Sequence, residues 1–525
     1  MRRMPIPVLL LLLGAPIPVL HGQTAPELQQ RGIQALEAGQ YAAAEQVLTR
    51  LVTVHPSAAA FSYLATAEGA EGKYDQAIAH FRKSIELGND TPSMHYVLGL
   101  AYLKVNQSGP GIRELELATT REPNFTAARY ALGLALLDAG RPREALVSLQ
   151  QVRGPLAKNP WMWTSLVRAQ FGAGYVDGAL KTIDEAANSL SPDAHMLASL
   201  ARLCLDHDQA QKARELLENA CELAPADNNL KLLLAQASLR ALEPQETLAA
   251  LRDFPTSGDA TGEVAFLRAS ALMLSGEPKR ATSLLAQAVA ADPGNTHYLS
   301  TLAEAQTLQG NYTDALATLT RARATDPDSS ELLYEMALVY MHMGKHAQAT
   351  ASCQEAMRLA PKFDRPYFLL GVIQLDGPNT AAAVDAFRKA AEILHGSALY
   401  HSALGAALLK AGKISESRRE LDRALALDPR AVSAYLWRAR WSEEQKQTAK
   451  AIADLETFVA LDANYPQAYE ELALLYSAQG QTTKASAARC QYAKLEAKFK
   501  SSEQAPFFLS QLGTAVIRQA HAQSQ

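Results

Sequence analysis

Apolar and small residues recur along this chain at helical spacing, in blocks that repeat. From Thr296 to Ser329, Leu302 and Ala303 fall in a first helix and Gly310 and Tyr312 mark a turn. Ala315, Leu319 and Ala322 lie in a second helix, which Pro327 ends. The next block keeps the order: Met336, Ala337 and Tyr340, then Gly344, then Ala349, Cys353, Ala356 and Pro361. The chain slides onto itself with a period of 34 residues, which predicts a helix-turn-helix unit used many times over.

Two series of small residues carry the register. One runs along the first helices as Gly32, Ala65, Gly99 and Gly133 and continues to Gly371, Gly405, Ala439 and Ala473, with Val167 the exception. The other runs along the second helices from Ala44 and Ala77 to Ala451 and Ala485. Antiparallel helices joined by a short turn interlock only where a surface position on each lacks bulk. Larger residues such as Leu132, Leu136, Tyr469, Leu472 and Tyr476 then fill the crevice and meet the neighbouring unit. Prolines such as Pro56, Pro123, Pro225, Pro293 and Pro429 stop the second helix.

This pattern resembles the tetratricopeptide repeat (TPR) family over nearly the whole chain, from about Ala25 to the 490s. The resemblance implies an all-α fold: an α-solenoid in which about fourteen repeats wind into a right-handed superhelix, closed by a C-terminal capping helix. It also implies a job of binding other proteins. Long exported bacterial members of the family are the nearest likeness.

Two places depart from the pattern. Residues 228–261 carry Thr247 for the second-helix alanine, Leu242 for the turn glycine and Pro244 in the turn. This unit ends early in Asp253-Phe254-Pro255-Thr256-Ser257-Gly258. A poor unit in an array held by nearest-neighbour interfaces predicts a weak joint or hinge. The domains expected are therefore an N-terminal array, 25–261, and a C-terminal array, 262–497. The turn Asp376-Gly377-Pro378-Asn379 keeps register with altered turn residues. After Ala497, the tail 498–525 places Phe508, Leu512, Ala515 and Val516 on one helical face, read as a cap, with a partner-docking segment as the alternative.

Composition narrows the function. Charged residues make up 20% and the formal net charge is -4, with no basic block, so nucleic acid is not an expected partner. Met1-Arg2-Arg3-Met4 precedes an apolar run from Pro5 to Leu20 and then His21-Gly22-Gln23-Thr24. Residues 1–22 are read as a signal peptide cut after Gly22, with an uncleaved anchor as the alternative. The chain is expected to be exported, periplasmic or secreted, most simply in a bacterial envelope, with no membrane span in the mature protein. No cysteine follows the apolar run, so no lipid anchor is expected. Cys204 and Cys221, on adjacent helices, are read as buried thiols or a disulfide; Cys353 and Cys490 complete the set. Sequons at Asn89, Asn106, Asn124 and Asn311 matter only in a eukaryotic secretory pathway.

The repeats leave no room for an enzyme domain, and the usual hydrolase, zinc-protease, P-loop and dinucleotide motifs are missing, so no catalytic residue and no cofactor is expected. Cys204, Asp206, His207 and Asp208 match no metal-ligand spacing. Met341, His342 and Met343 point about 100° apart on a helix, so no metal site is expected.

Family resemblance places a second face of the first helix on the inside of the superhelix. Its readable residues are Tyr96, Leu100, Tyr130 and Leu134, then Arg168 and Arg202, then Tyr334, Leu338, Phe368, Val372, Trp437 and Arg440. Either these side chains thicken the contact between successive helices, or two apolar patches flanking an arginine stretch grip a peptide or helix. The Lys/Asn carboxylate clamp of cytosolic chaperone adaptors is missing. So is the asparagine ladder of the nucleocytoplasmic sugar-transferase superhelix, whose positions hold Val97, Ala131, Ser165, Ser199 and Leu233. The function expected is a protein-interaction scaffold in a secretion, outer-membrane assembly or polysaccharide-export complex; the alternative is a glycan or small-ligand module using the same aromatic face.

Overall fold

The structure, a computed structural model, describes residues 24–152, 159–189, 193–254, 261–377 and 379–499. The proposed signal segment, Pro378 and the tail past Phe499 lie outside the described residues, including Phe508, Leu512, Ala515 and Val516. Twenty-eight helices and no strand occur among the described residues, in two compact units, 1–233 and 234–525. The first unit holds α1 (Ala25–Glu37), α2 (Tyr41–Val54), α3 (Ala58–Ala70), α4 (Tyr74–Glu86), α5 (Pro92–Lys104), α6 (Ser108–Arg121), α7 (Thr126–Asp138), α8 (Pro142–Leu149), α9 (Pro160–Gly172), α10 (Val176–Ser189), α11 (Ala194–Asp206) and α12 (Ala210–Leu223). The division falls within α13 (Asn228–Arg240).

The second unit continues with α14 (Pro244–Ala250), α15 (Thr261–Leu274), α16 (Pro278–Ala291), α17 (Thr296–Leu308), α18 (Tyr312–Thr325), α19 (Ser330–His342), α20 (His346–Leu359) and α21 (Asp364–Asp376). It ends with α22 (Thr380–Ile393), α23 (Ala398–Lys410), α24 (Ile414–Leu427), α25 (Val432–Glu444), α26 (Thr448–Leu461), α27 (Pro466–Ala478) and α28 (Thr482–Phe499). Odd-numbered helices are the first of each pair (A), even-numbered the second (B).

Local chemistry sets the boundaries. Ser57, Thr91, Asp193, Ser329 and Ser397 each accept a hydrogen bond from the backbone N–H three residues on, capping an A helix. The A-to-B turn places one residue in the left-handed region every 34 residues. Glycine holds it at Gly72, Gly140, Gly174, Gly276, Gly310, Gly344, Gly412 and Gly480, but Asn106, Asp208, Leu242 and Lys446 also adopt positive φ. Leu242, at φ 61°, has neither glycine's freedom nor a short polar side chain to relieve it.

The close approach read from the small residues has an exact partner sixteen positions on. A Cβ on Gly133 would meet Leu149 at 2.6 Å, one on Gly371 would meet Phe387 at 2.7 Å, and one on Gly405 would meet Leu421 at 2.7 Å. Ala44, Ala145, Ala281, Ala315 and Ala383 are completely buried. Ser417, an exception among the alanines, donates its hydroxyl to the Gly405 carbonyl at 2.7 Å, so its polarity is satisfied inside the interface.

Irregularity concentrates in two B helices. Most run fourteen residues, whereas α14 has seven and α8 has eight. The short α14 lies in the departing unit 228–261. The short α8 was not read from sequence, although Gly154-Pro155 follows it. All four cysteines are free thiols; burial raises the Cys204 thiol to about 12 and moves Cys221 upward. Among the described residues no helix is long and apolar enough to cross a membrane.

Candidate functional site

Successive A helices pack side by side in the first unit, α5 on α7, α7 on α9 and α9 on α11. Residues one period apart therefore line up in rows across them. One row reads Tyr96, Tyr130, Thr164 and Ala198, and the next Leu100, Leu134, Arg168 and Arg202.

Tyr96, Leu100, Tyr130 and Leu134 are half-buried. Their inner edges lean on the core: Tyr96 and Tyr130 pack against a cluster that includes Leu132, Leu136 and Leu149, and the Tyr96 ring lies 5.1 Å from that of Phe125. Burial raises the Tyr96 phenol above its ordinary value. Trp161 stands 59% exposed on α9, its backbone N–H held by the Asn159 cap. It belongs to this face and was missed in the sequence because it sits at the helix start, outside the rows considered.

The α5 stripe has an ionic anchor behind it. His95, adjacent to Tyr96, is buried between two carboxylates, with Nδ1 2.6 Å from Glu114 and Nε2 2.8 Å from Asp90. Asp90 also takes Arg121 at 2.5 Å, and these two partners, Arg121 foremost, hold its carboxyl below the usual range. The cluster ties α5 to α6 and fixes the helix that presents Tyr96 and Leu100. His401 repeats the arrangement nine periods later, 2.7 Å from Glu420.

Arg168 and Arg202 are exposed. Arg168 reaches back to Asp138 of α7 at 2.8 Å. Arg202 has no ion pair among the described residues.

The second unit differs: four residues named there as a gripping surface or, alternatively, as contact between helices are corrected to core. Tyr334, Phe368, Val372 and Trp437 are buried, Phe368 to 3% and Trp437 to 7% exposure. Phe368 is enclosed by Phe387 at 5.3 Å and Tyr400 at 4.7 Å, and Tyr334 meets Phe363 edge-on at 5.7 Å. On α23, Ser402, Ala403 and Ala406 are also buried; Ser402 bonds Ser433 of α25 at 2.9 Å, and Trp437 packs with Ala406, Leu409 and Leu421. Leu338 and Arg440 remain half-buried. Arg440 lies 4.8 Å above the Trp437 ring and pairs with Glu471 at 2.7 Å.

A half-buried carboxyl lies beside this closed region. Glu335 on α19 accepts a hydrogen bond from Ser300 of α17 at 2.6 Å. Desolvation raises its carboxyl to about 7, with Glu304 and Glu331 adding to the rise against Ser300 and Arg365. Among the described residues no group of three His, Cys, Asp or Glu is disposed to hold a metal ion. His207 instead stacks on Phe171 at 4.6 Å, Met341 is buried, and His342 stacks on Tyr312 at 5.7 Å.

Comparisons with known proteins bear on the repeats. Models described as tetratricopeptide repeat match residues 272–339, 306–371, 96–160 and 402–466, and one described as TPR repeat matches 67–106. No curated protein matches the chain. Among solved structures, the chain is similar to the APC/C hetero-tetramer Cut9-Hcn1, with 14% identity, TM-score 0.41, and coverage of 86% of this chain and 96% of that one. It is also similar to yeast Tom70, with 18% identity, TM-score 0.44, and coverage of 85% and 99%. With matched repeats in both units and paired helices throughout the described residues, the chain is a tetratricopeptide repeat protein.

Proposed function

We propose that this protein is an interaction scaffold of the cell envelope, exported by its first 22 residues, whose A-helix face in the first unit holds a segment of a protein partner. The observation that carries the reading is the half-buried stripe of Tyr96, Leu100, Tyr130 and Leu134, anchored on rigid helices rather than loops. Half-buried aromatic and aliphatic side chains are already ordered, so a partner covers apolar area at little cost in side-chain entropy. The role is binding rather than catalysis, in a secretion, outer-membrane assembly or polysaccharide-export assembly.

The test starts from residues Gln23 onward, immobilised and exposed to detergent-solubilised envelope extract beside a Tyr130→Ala/Leu134→Ala variant. A discrete protein retained by the wild type and lost by the variant supports the scaffold; equal retention by both moves the site off this face. Fractionation of cells making the full chain tests export, with a mature protein beginning at Gln23 in the envelope fraction as the expected result and an uncut cytosolic protein as the contrary one.

The exposed Trp161 ring favours one second reading, a glycan stacked on the aromatic face. A thermal shift with envelope glycans that Trp161→Ala abolishes distinguishes it from the protein-partner reading.

A further inference from the structure

The arginines in the Leu100–Leu134 row and its continuation show what the proposed partner must carry. Three arginines occupy this register position in the chain: Arg168, Arg202 and Arg440. Two have a carboxylate from a neighbouring repeat. Arg168 takes Asp138, thirty residues back in the preceding A helix, at 2.8 Å. Arg440 takes Glu471, thirty-one residues ahead in the following A helix, at 2.7 Å.

The same two offsets from Arg202 lead to Gly172 and Leu233, neither of which has a carboxylate to offer. Packing accounts for the first: a Cβ on Gly172 would sit 2.9 Å from the Pro142 side chain, so this position is held to glycine. Arg202 is exposed and forms no ion pair among the described residues, Asp206 one turn along its own helix included.

From this we infer that Arg202 receives a carboxylate supplied from outside the chain, an acidic side chain of the partner segment whose apolar residues lie on Tyr130 and Leu134. The inference rests on the reading of the first unit's A-helix face as the partner site. The partner is therefore an acidic-apolar protein segment rather than a basic or purely apolar one.

Helix spacing fixes the partner's own spacing. Two A-helix steps of about 8–10 Å separate α7 from α11, and an extended chain advances about 3.3 Å per residue. The acidic residue stands about five or six positions from the apolar anchor. A guanidinium beside an apolar surface favours a carboxylate in a bidentate geometry that an ammonium does not reproduce.

Selection of a phage-displayed random peptide library on the full chain, followed by binding of the synthesised winners, tests this. The expected winners carry Asp or Glu about five or six residues from an aromatic or aliphatic anchor. Their affinity falls about tenfold on Arg202→Glu, weakens with added salt, and falls with Tyr130→Ala. A library reselected on Arg202→Glu is expected to place Lys or Arg where the acid stood. Winners that need Tyr130 but show no acidic preference and ignore Arg202→Glu would overturn the inference and leave the scaffold reading standing. Winners indifferent to Tyr130, Leu134 and Arg202 alike, or no winners, would remove both.

Discussion

Tyr130 and Phe368 stand at the same register position, seven periods of 34 residues apart, yet one is half-buried and the other is 3% exposed. The difference lies in their neighbours. In the first unit Tyr130 leans by its inner edge on a core that includes Leu132, Leu136 and Leu149, and the rest of its surface stays open. In the second unit Phe368 is enclosed by rings instead, Phe387 of α22 at 5.3 Å and Tyr400 of α23 at 4.7 Å. The same residue chemistry thus makes an open aromatic face in one unit and a core in the other.

The comparison breaks first where the units ought to be alike. Ala315 is completely buried in the helix-pair seam, so Ala315→Glu adds bulk and an unpaired charge there; a loss of at least about 4 kcal/mol is expected in denaturant unfolding. A neutral result would mean that the repeat register is wrong. Phe368→Ala comes next, with a loss of about 3–5 kcal/mol in the second unit and no direct effect on partner binding. Tyr130→Ala reverses the balance, with partner binding lost and stability lowered by about 1 kcal/mol. Equal stability losses for the two would erase the distinction between surface and core.

Glu335 gives the second unit a pH dependence. Its folded value of about 7 lies above the ordinary carboxyl value of 4.5, so the stability it contributes is full below about pH 4.5 and lost as pH rises through about 7. Glu335→Gln is expected to remove that slope and stabilise the protein at pH 8 by roughly 1–3 kcal/mol. An unchanged slope would show that the carboxyl is open to water. The smallest effect expected is at the strained turn: Leu242→Gly relieves a left-handed leucine and adds roughly 1 kcal/mol, read as a raised denaturant midpoint.

The helix pairs were legible because their determinants are local. Gly371 and Phe387 sit sixteen residues apart, the turn residue recurs every 34, and the defect at 228–261 shows as the short α14. The candidate face was legible only in part. The burial of Phe368 and Trp437 depends on residues of other helices, Phe387 and Tyr400 around the first and Ala406, Leu409 and Leu421 around the second, which a position-by-position reading does not weigh. The tie between His95, Asp90 and Glu114 likewise joins an A helix, a loop and a B helix, and nothing in the repeat pattern announces it.

Hydroxyl-radical footprinting of the free, folded protein tests the contrast most directly, because it reads side-chain exposure residue by residue. Tyr130 and Trp161 are expected to oxidise at least about tenfold faster than Phe368 and Trp437, after correction for intrinsic reactivity, since only the first pair presents ring surface to water. Similar protection of all four would contradict an open aromatic face in the first unit, and rapid oxidation of Phe368 or Trp437 would contradict a closed one in the second.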